Sequence, residues 1–212
     1  MSAAQKRSYG LYSRWRVPFA REFLDSEKIF GGKNPLTVEI GFGMGEATAL
    51  IAEGNPDKNY LGVEVYKPGV GKLLWEIEKR GLQNIRIIEH DAVEVLACMI
   101  APASVHAFHI FFPDPWPKKK HHKRRLLARS FTGLLAEKLV KGGYIYAATD
   151  WEDYAEWALA EFAAVPELVN PHAGSFAPQS FAPRPPWRPQ TKFEQKGIAK
   201  NHKIRELYFV RS

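Results

Sequence analysis

In Phe111-Phe112-Pro113-Asp114-Pro115-Trp116-Pro117 an apolar run ends in a single carboxylate held between two prolines, and Lys118-Lys119-Lys120-His121-His122-Lys123-Arg124-Arg125 follows directly. Proline fixes its own φ and pushes the residue before it to extended geometry. Asp114 is therefore expected on a stiff turn at the end of a strand. A rigid acid beside an aromatic and a dense cationic run suits a polyanion from which one planar, polar group is selected. That combination reads as a nucleic acid and one of its bases.

A second constellation lies upstream. Glu39-Ile40-Gly41-Phe42-Gly43-Met44-Gly45-Glu46 joins an apolar strand to a helix, and its glycines let the backbone turn tightly and a ligand approach closely. A nicotinamide site would need G-x-G-x-x-G. Here the third glycine comes one residue early and Glu46 takes the required slot, where a carboxylate would repel a pyrophosphate. A cationic ligand fits better. Glu39 is an acid inside a strand, which is costly without a partner, and S-adenosylmethionine offers a sulfonium and an ammonium. Glu64 ends the second strand, placed for both ribose hydroxyls. Asp91 ends the third, placed for the adenine amino group, although Asp is also a good helix N-cap.

The elements that must position these groups alternate. Leu36 to Ile40, Tyr60 to Val65, Ile85 to Ile88, Val105 to Phe112 and Tyr144 to Ala148 read as strands. Helices are expected over Glu46 to Glu53, over Pro68 to Arg80 with Gly81 as its stop, around Leu127 to Leu135 with Lys123, Arg124 and Arg125 in its first turn, and around Tyr154 to Phe162. Near-continuous apolar strands in βα alternation argue a parallel sheet covered on both faces. Residues 1–35 read as a basic arm or loosely packed lead-in, residues 36–212 as the folded domain, and residues 171–190 within it as a Pro-rich loop. Thr191-Lys192-Phe193-Glu194 has the form of a capping box opening a short helix. Leu207 to Val210 closes the chain as a strand.

Composition narrows the classes. The 212 residues carry a formal net charge of +7 and a pI near 9.4, which favours a polyanionic partner. Cys98 as the sole cysteine excludes an intramolecular disulfide and a cysteine-rich zinc site. His121 and His122 lack an acid or Cys in ligand spacing, so no metal is expected. No apolar run approaches the roughly 18 residues of a membrane span, and no signal-peptide core opens the chain. A cytoplasmic setting follows.

These motifs, in this order, resemble the bacterial tRNA (guanine-N7)-methyltransferases of the class I, Rossmann-like fold. The matching pieces are Glu39 to Gly45, Gly62-Val63-Glu64-Val65, Phe112 to Lys119, His121 to Leu126, Ala148-Thr149-Asp150-Trp151 and Thr191 to Glu194. The glycine turn alone is shared by many methyltransferases; the Phe-Pro-Asp-Pro-Trp-Pro-Lys block with the late Thr-Lys-Phe-Glu is highly specific. The resemblance implies an α/β fold with a mostly parallel seven-stranded sheet and an antiparallel C-terminal strand. It also implies methyl transfer from S-adenosylmethionine to guanine N7 at position 46 of the tRNA variable loop, by a monomer or homodimer. It assigns cofactor contacts to Glu39, Gly41, Gly43, Glu64, Asp91 and Asp114, substrate contacts to Lys118, Asp150, Thr191, Lys192, Phe193 and Glu194, and RNA contacts to Lys120, His121, His122, Lys123, Arg124 and Arg125. Asp114 is the catalytic candidate.

The chemistry is compatible. Guanine N7 is an in-plane lone pair with no proton to remove, so alignment and a fixed carboxylate near the developing positive charge are what the reaction needs. Guanine N1–H and N2–H₂ are adjacent donors that one carboxylate can accept, which makes Asp114, Asp150 and Glu194 base-reading candidates. Two alternatives compete: an exocyclic-amine methyltransferase, against which Pro117 follows the aromatic of Asp114-Pro115-Trp116, and a non-catalytic RNA-binding module, against which the acid rim is intact.

Overall fold

The computed structural model describes residues 9–10, 12–174, 181–199 and 201–212. Helices α1 (Tyr12–Trp15) and α2 (Ser26–Phe30) precede a regular alternation of β1 (Leu36–Ile40), α3 (Glu46–Glu53), β2 (Asn59–Val63), α4 (Lys67–Arg80), β3 (Ile85–Ile88), α5 (Ala92–Cys98) and β4 (Val105–Phe111). A 3₁₀ turn, Lys119–Arg124, then leads to α6 (Arg129–Lys138), β5 (Leu139–Thr149), α7 (Glu152–Ala163), β6 (Leu168–Val169), α8 (Lys192–Ile198) and β7 (Arg205–Arg211).

The seven strands form one sheet in the order β3-β2-β1-β4-β5-β7-β6. β1 to β5 run parallel to one another, and β7 runs antiparallel to both β5 and β6. The order reverses direction between β1 and β4, the place where an open α/β sheet leaves a ligand crevice beyond its C-terminal strand ends. Alternate side chains point to opposite faces of a strand, and the core divides accordingly. Val38, Ile40, Phe108, Leu135 and Phe162 belong to one apolar cluster, and Phe42, Leu73, Ile77, Ile85 and Ile87 to another.

The second face is unusual towards β7. There the sheet presents Glu39, its register partner His109 and then Tyr146. The layer over them comes from the Pro-rich loop. Trp187 stacks on His109 at 4.8 Å and 14° and meets Tyr146 edge-on at 5.1 Å. Trp187 therefore acts as a packing residue of the sheet. Burial holds the His109 imidazole neutral, with its pKa driven down to about 3. Arg188 of the same loop is buried and pairs with Glu194 at 2.7 Å and Glu206 at 2.6 Å. The Tyr146 hydroxyl also donates to Glu206.

Several expectations change. Within the lead-in, Trp15 and Val17 are buried, and Val17 N–H donates to the Ile87 carbonyl on the open edge of β3. An aromatic covering an exposed sheet edge is what drives that packing. The basic run does not open a helix. It forms its own 3₁₀ turn, because Arg125 is extended (φ −61°, ψ 127°) and breaks the path to α6. β5 starts earlier than expected and takes Gly142-Gly143 into the strand beside a register shift against β4. Helix α5 and strand β6 carry too little periodic signal to be expected from sequence.

Candidate active site

Glu39 is 2% exposed in the middle of the sheet, and its Oε2 has no hydrogen-bond partner among the described residues. Burial, reinforced by the nearby negative charge of Glu64, pushes its pKa up to about 8. Its carboxyl lines a cavity of about 500 Å³ with Gly41, Gly43, Glu46, Lys72 and Thr191. Gly41 and Gly43 have φ values of +71° and +55°, and a β-carbon at either would meet open space. That is a cradle whose backbone a ligand can touch directly. Its floor is set by Gly69, where a β-carbon would fall 1.9 Å from the Gly43 carbonyl oxygen. Only glycine lets α4 approach the turn so closely.

Glu64 ties the turn down. Its Oε2 accepts from Gly43 N–H at 2.8 Å, and its Oε1 accepts from Val65 N–H at 2.8 Å and Tyr66 N–H at 3.0 Å. Asp91 caps α5, with Oδ1 accepting from Val93 N–H at 2.9 Å and Glu94 N–H at 3.2 Å. Each acid keeps one oxygen lone pair or more beyond these bonds.

A second cavity, about 370 Å³, adjoins the first and shares Gly41, Phe111 and Phe112 with it. Glu64, Asp114, Trp116 and Arg124 line its other side. The backbone that carries Asp114 is strained on both flanks. Phe112 and Trp116 have φ of +53° and +45°, conformations that cost of order 1–3 kcal/mol each and recur at functional sites. Arg125 holds the loop from behind: its Nε donates to the Pro115 carbonyl at 3.0 Å, and its Nη2 pairs with Asp153.

Residues 33–207 match a family described as a putative methyltransferase. The chain is 50% identical over 202 residues to the tRNA (guanine-N(7)-)-methyltransferase of Bordetella pertussis, covering 95% of this chain and 77% of that protein. It is 47% identical over 239 residues to that of Treponema pallidum, covering 100% and 92%. The chain belongs to the tRNA (guanine-N7)-methyltransferase family. Among solved structures, the 16S rRNA methyltransferase KamB shares the fold with a TM-score of 0.61 at 14% identity, over 90% of this chain and 95% of that one. The antibiotic-resistance methyltransferase Kmr does so with 0.58 at 15%, over 92% and 94%.

The cofactor of this methyltransferase is S-adenosylmethionine, and the cavity fits it. A buried carboxylate oxygen without a partner meets the need of a cation, and the open glycine cradle admits a ligand against the backbone. Lys72 is a lining residue that no sequence motif flags; it faces the cavity from α4 while donating to Glu76 at 2.7 Å.

The expected substrate and RNA residues divide. Lys118, Lys120, Lys123 and Arg124 are exposed, and His121 and His122 are half-buried. The Arg124 guanidinium lies 4.9 Å from the centroid of Trp116, and His121 meets the same ring edge-on at 5.6 Å. Trp116 is thus stacked among cations at the surface. Arg125 departs from the expected RNA set: it is 3% exposed, and its charge is committed to Asp153 and Pro115 within the fold. Glu194 departs as well. It is 1% exposed and accepts from both Nη groups of Arg188. The capping box is half made: Thr191 Oγ1 accepts from Glu194 N–H at 3.2 Å, while the Glu194 side chain turns to the arginines. The side chains of Lys192 and Phe193 lie outside the described residues. Asp150 follows β5, and its Oδ2 lies 3.1 Å from His202 Nδ1.

Proposed function

We propose that this methyltransferase transfers the methyl group of S-adenosylmethionine to N7 of the guanine at position 46 in the variable loop of tRNA. The observation that carries the reading is the junction of the two cavities. A buried carboxylate with one oxygen unpartnered among the described residues and a glycine cradle on one side meet a strained, acid-bearing loop and a cationic turn on the other.

When bound, the cofactor supplies an electrophilic methyl group on a sulfonium. Glu39 offers Oε2 to the cationic end of that ligand, Gly41 and Gly43 bring backbone against it, and Glu64 and Asp91 keep lone pairs for the ribose hydroxyls and the adenine amine. N7 carries no proton, so no side chain has to act as a base. The task of the remaining groups is alignment, which contributes several kcal/mol in well-oriented reactions. Asp114 lines the second cavity on a backbone strained on both flanks, where its negative charge favours the positive charge that methylation places on the purine. Lys118, Lys119, Lys120, Lys123 and Arg124 face solvent on the same side and hold phosphates. Arg125 fixes the Asp114 loop and takes no part in RNA contact.

The test is incubation of the purified protein with labelled S-adenosylmethionine and unmodified tRNA, followed by reduction and aniline cleavage to map the modified base. Cleavage at the variable-loop guanine is expected. Label on another atom or another nucleotide would overturn the reading.

A further inference from the structure

The recognition of guanine needs an acid whose orientation is fixed, and Asp150 has a partner that no motif announces. β4 and β5 are neighbours, with Phe111 paired to Ala148. Asp114 and Asp150 therefore follow the ends of adjacent strands. Asp114 lines the cavity that adjoins the cofactor cavity, whereas Asp150 lines a separate open cleft of about 470 Å³ with Trp151 and His202. Trp151 is exposed there, an aromatic face available to a base.

His202 is brought to Asp150 by the turn that ends α8. Asn201 N–H donates to the Ile198 carbonyl at 2.8 Å and His202 N–H to the Gly197 carbonyl at 3.0 Å, while Asn201 takes φ +63°. A β-carbon at Gly197 would lie 3.4 Å from Asp150 Oδ2, an ordinary van der Waals contact, so the end of α8 packs directly against the pair. A carboxylate only accepts, so at 3.1 Å His202 Nδ1 must carry the proton of this bond. The far end of the same helix is anchored by the buried Glu194–Arg188 pair, and its N-cap Thr191 lines the cofactor cavity. One short rigid element thus touches the cofactor cavity at its start and holds Asp150 just beyond its end.

We propose that His202 is a positioning residue for guanine recognition: by donating from Nδ1 to Oδ2 of Asp150 it fixes that carboxylate so that its remaining lone pairs accept guanine N1–H and N2–H₂. This inference rests on the proposed guanine-N7 activity. A bidentate acceptor that is held in place rejects a base lacking one donor more strongly than a freely rotating one does, because the unpaired group has nowhere to turn.

The experiment compares the intact protein with His202→Ala, His202→Asn and Asp150→Ala on two substrates, a tRNA bearing guanosine at the target position and one bearing inosine, which lacks the 2-amino group. His202→Ala is expected to raise KM for the guanosine tRNA about tenfold with kcat within about twofold, and to narrow the guanosine-over-inosine preference by a similar factor. His202→Asn, whose amide N–H replaces Nδ1–H, should recover most of both. Adding His202→Ala to Asp150→Ala should have no further effect. His202→Ala with unchanged KM and preference, a loss confined to kcat, or failure of the Asn variant to recover would each overturn the positioning role. An Asp150→Ala enzyme that still prefers guanosine would overturn base reading by Asp150 itself. A wild-type protein that leaves guanine N7 unmethylated would instead overturn the functional reading beneath both. Thermal unfolding of each variant separates a folding defect from these outcomes, and the Asn variant keeps the test decisive if the Ala variant is unstable.

Discussion

At the scale of single residues, two acids do opposite things with their charge. Asp114 is exposed on a strained loop, free to place a charge near the reacting purine. Asp114→Ala should lower kcat about 100-fold or more, the size of loss seen when one preorganised electrostatic group is removed. Its effect on tRNA affinity should stay within about twofold, because the phosphate contacts are intact. Single-turnover rates and equilibrium binding check the two halves separately. Glu39, by contrast, is buried with its pKa pushed from an ordinary 4.5 to about 8. In the cofactor-free protein it is protonated at pH 7, and between pH 4.5 and 8 the folded state binds more protons than the unfolded chain. Its contribution to stability is therefore fully present below pH 4.5 and is lost as pH rises to 8, by at most about 1.4 kcal/mol per pH unit. Glu39→Gln should flatten that slope in urea unfolding and leave the cofactor-free protein more stable than wild type at pH 8. A cation bound at Oε2 favours the ionised form, so cofactor binding at pH 7 should release a proton. Titration calorimetry in phosphate and in Tris would show different heats for wild type and equal heats for Glu39→Gln.

At the scale of elements, the device that matters is a loop doing the work of a layer. Trp187 and Arg188 cover a polar strip of the sheet, and Arg188 supplies charge to Glu194 and Glu206 at once. Burial works against the Arg188 charge, yet the two carboxylates outweigh it and its pKa rises. Removing one partner of a buried ion pair leaves the others uncompensated and costs about 3–5 kcal/mol. Arg188→Met should destabilise the protein by about that amount in denaturant unfolding. It should also open the chain to proteolysis between residues 181 and 194, since this segment depends on the network. Cofactor affinity should fall with it, because Thr191 loses its support on the cavity wall.

At the scale of the whole molecule, the net charge is +7, and six of the cations fall in the run from Lys118 to Arg125. The exposed cations of the 3₁₀ turn stand beside the acid-bearing loop, and on the proposed function they would draw tRNA to the face that holds the reacting groups. Each neutralised phosphate contributes a salt slope of about 0.7–0.9 log unit per log salt. Lys120→Ala/Lys123→Ala/Arg124→Ala together should reduce the slope of log affinity against log salt by about 2 to 3 units, measured by filter binding across a salt series. An unchanged slope would show that the phosphates lie elsewhere. Arg125→Ala should leave the slope untouched, since its guanidinium is buried against Asp153 and Pro115.

What the sequence determined by itself was local and periodic. Strand alternation, the glycine turn, the Gly81 stop of α4 and the proline-clamped Asp114 follow from backbone sterics and side-chain period, which act between near neighbours in the chain. Thr191 as an N-cap was legible for the same reason. The partners of charged groups were decided only by the tertiary structure. Arg125 and Glu194 look like their solvent-facing neighbours in sequence, yet one is buried to hold a loop and the other to hold an arginine, because burial depends on which distant elements pack there. Glu206, Lys72, Gly69 and His202 carry no motif of their own. The contacts that give Glu206, Gly69 and His202 their roles span 18 to 60 residues of chain, a separation at which neither propensity nor periodicity carries information.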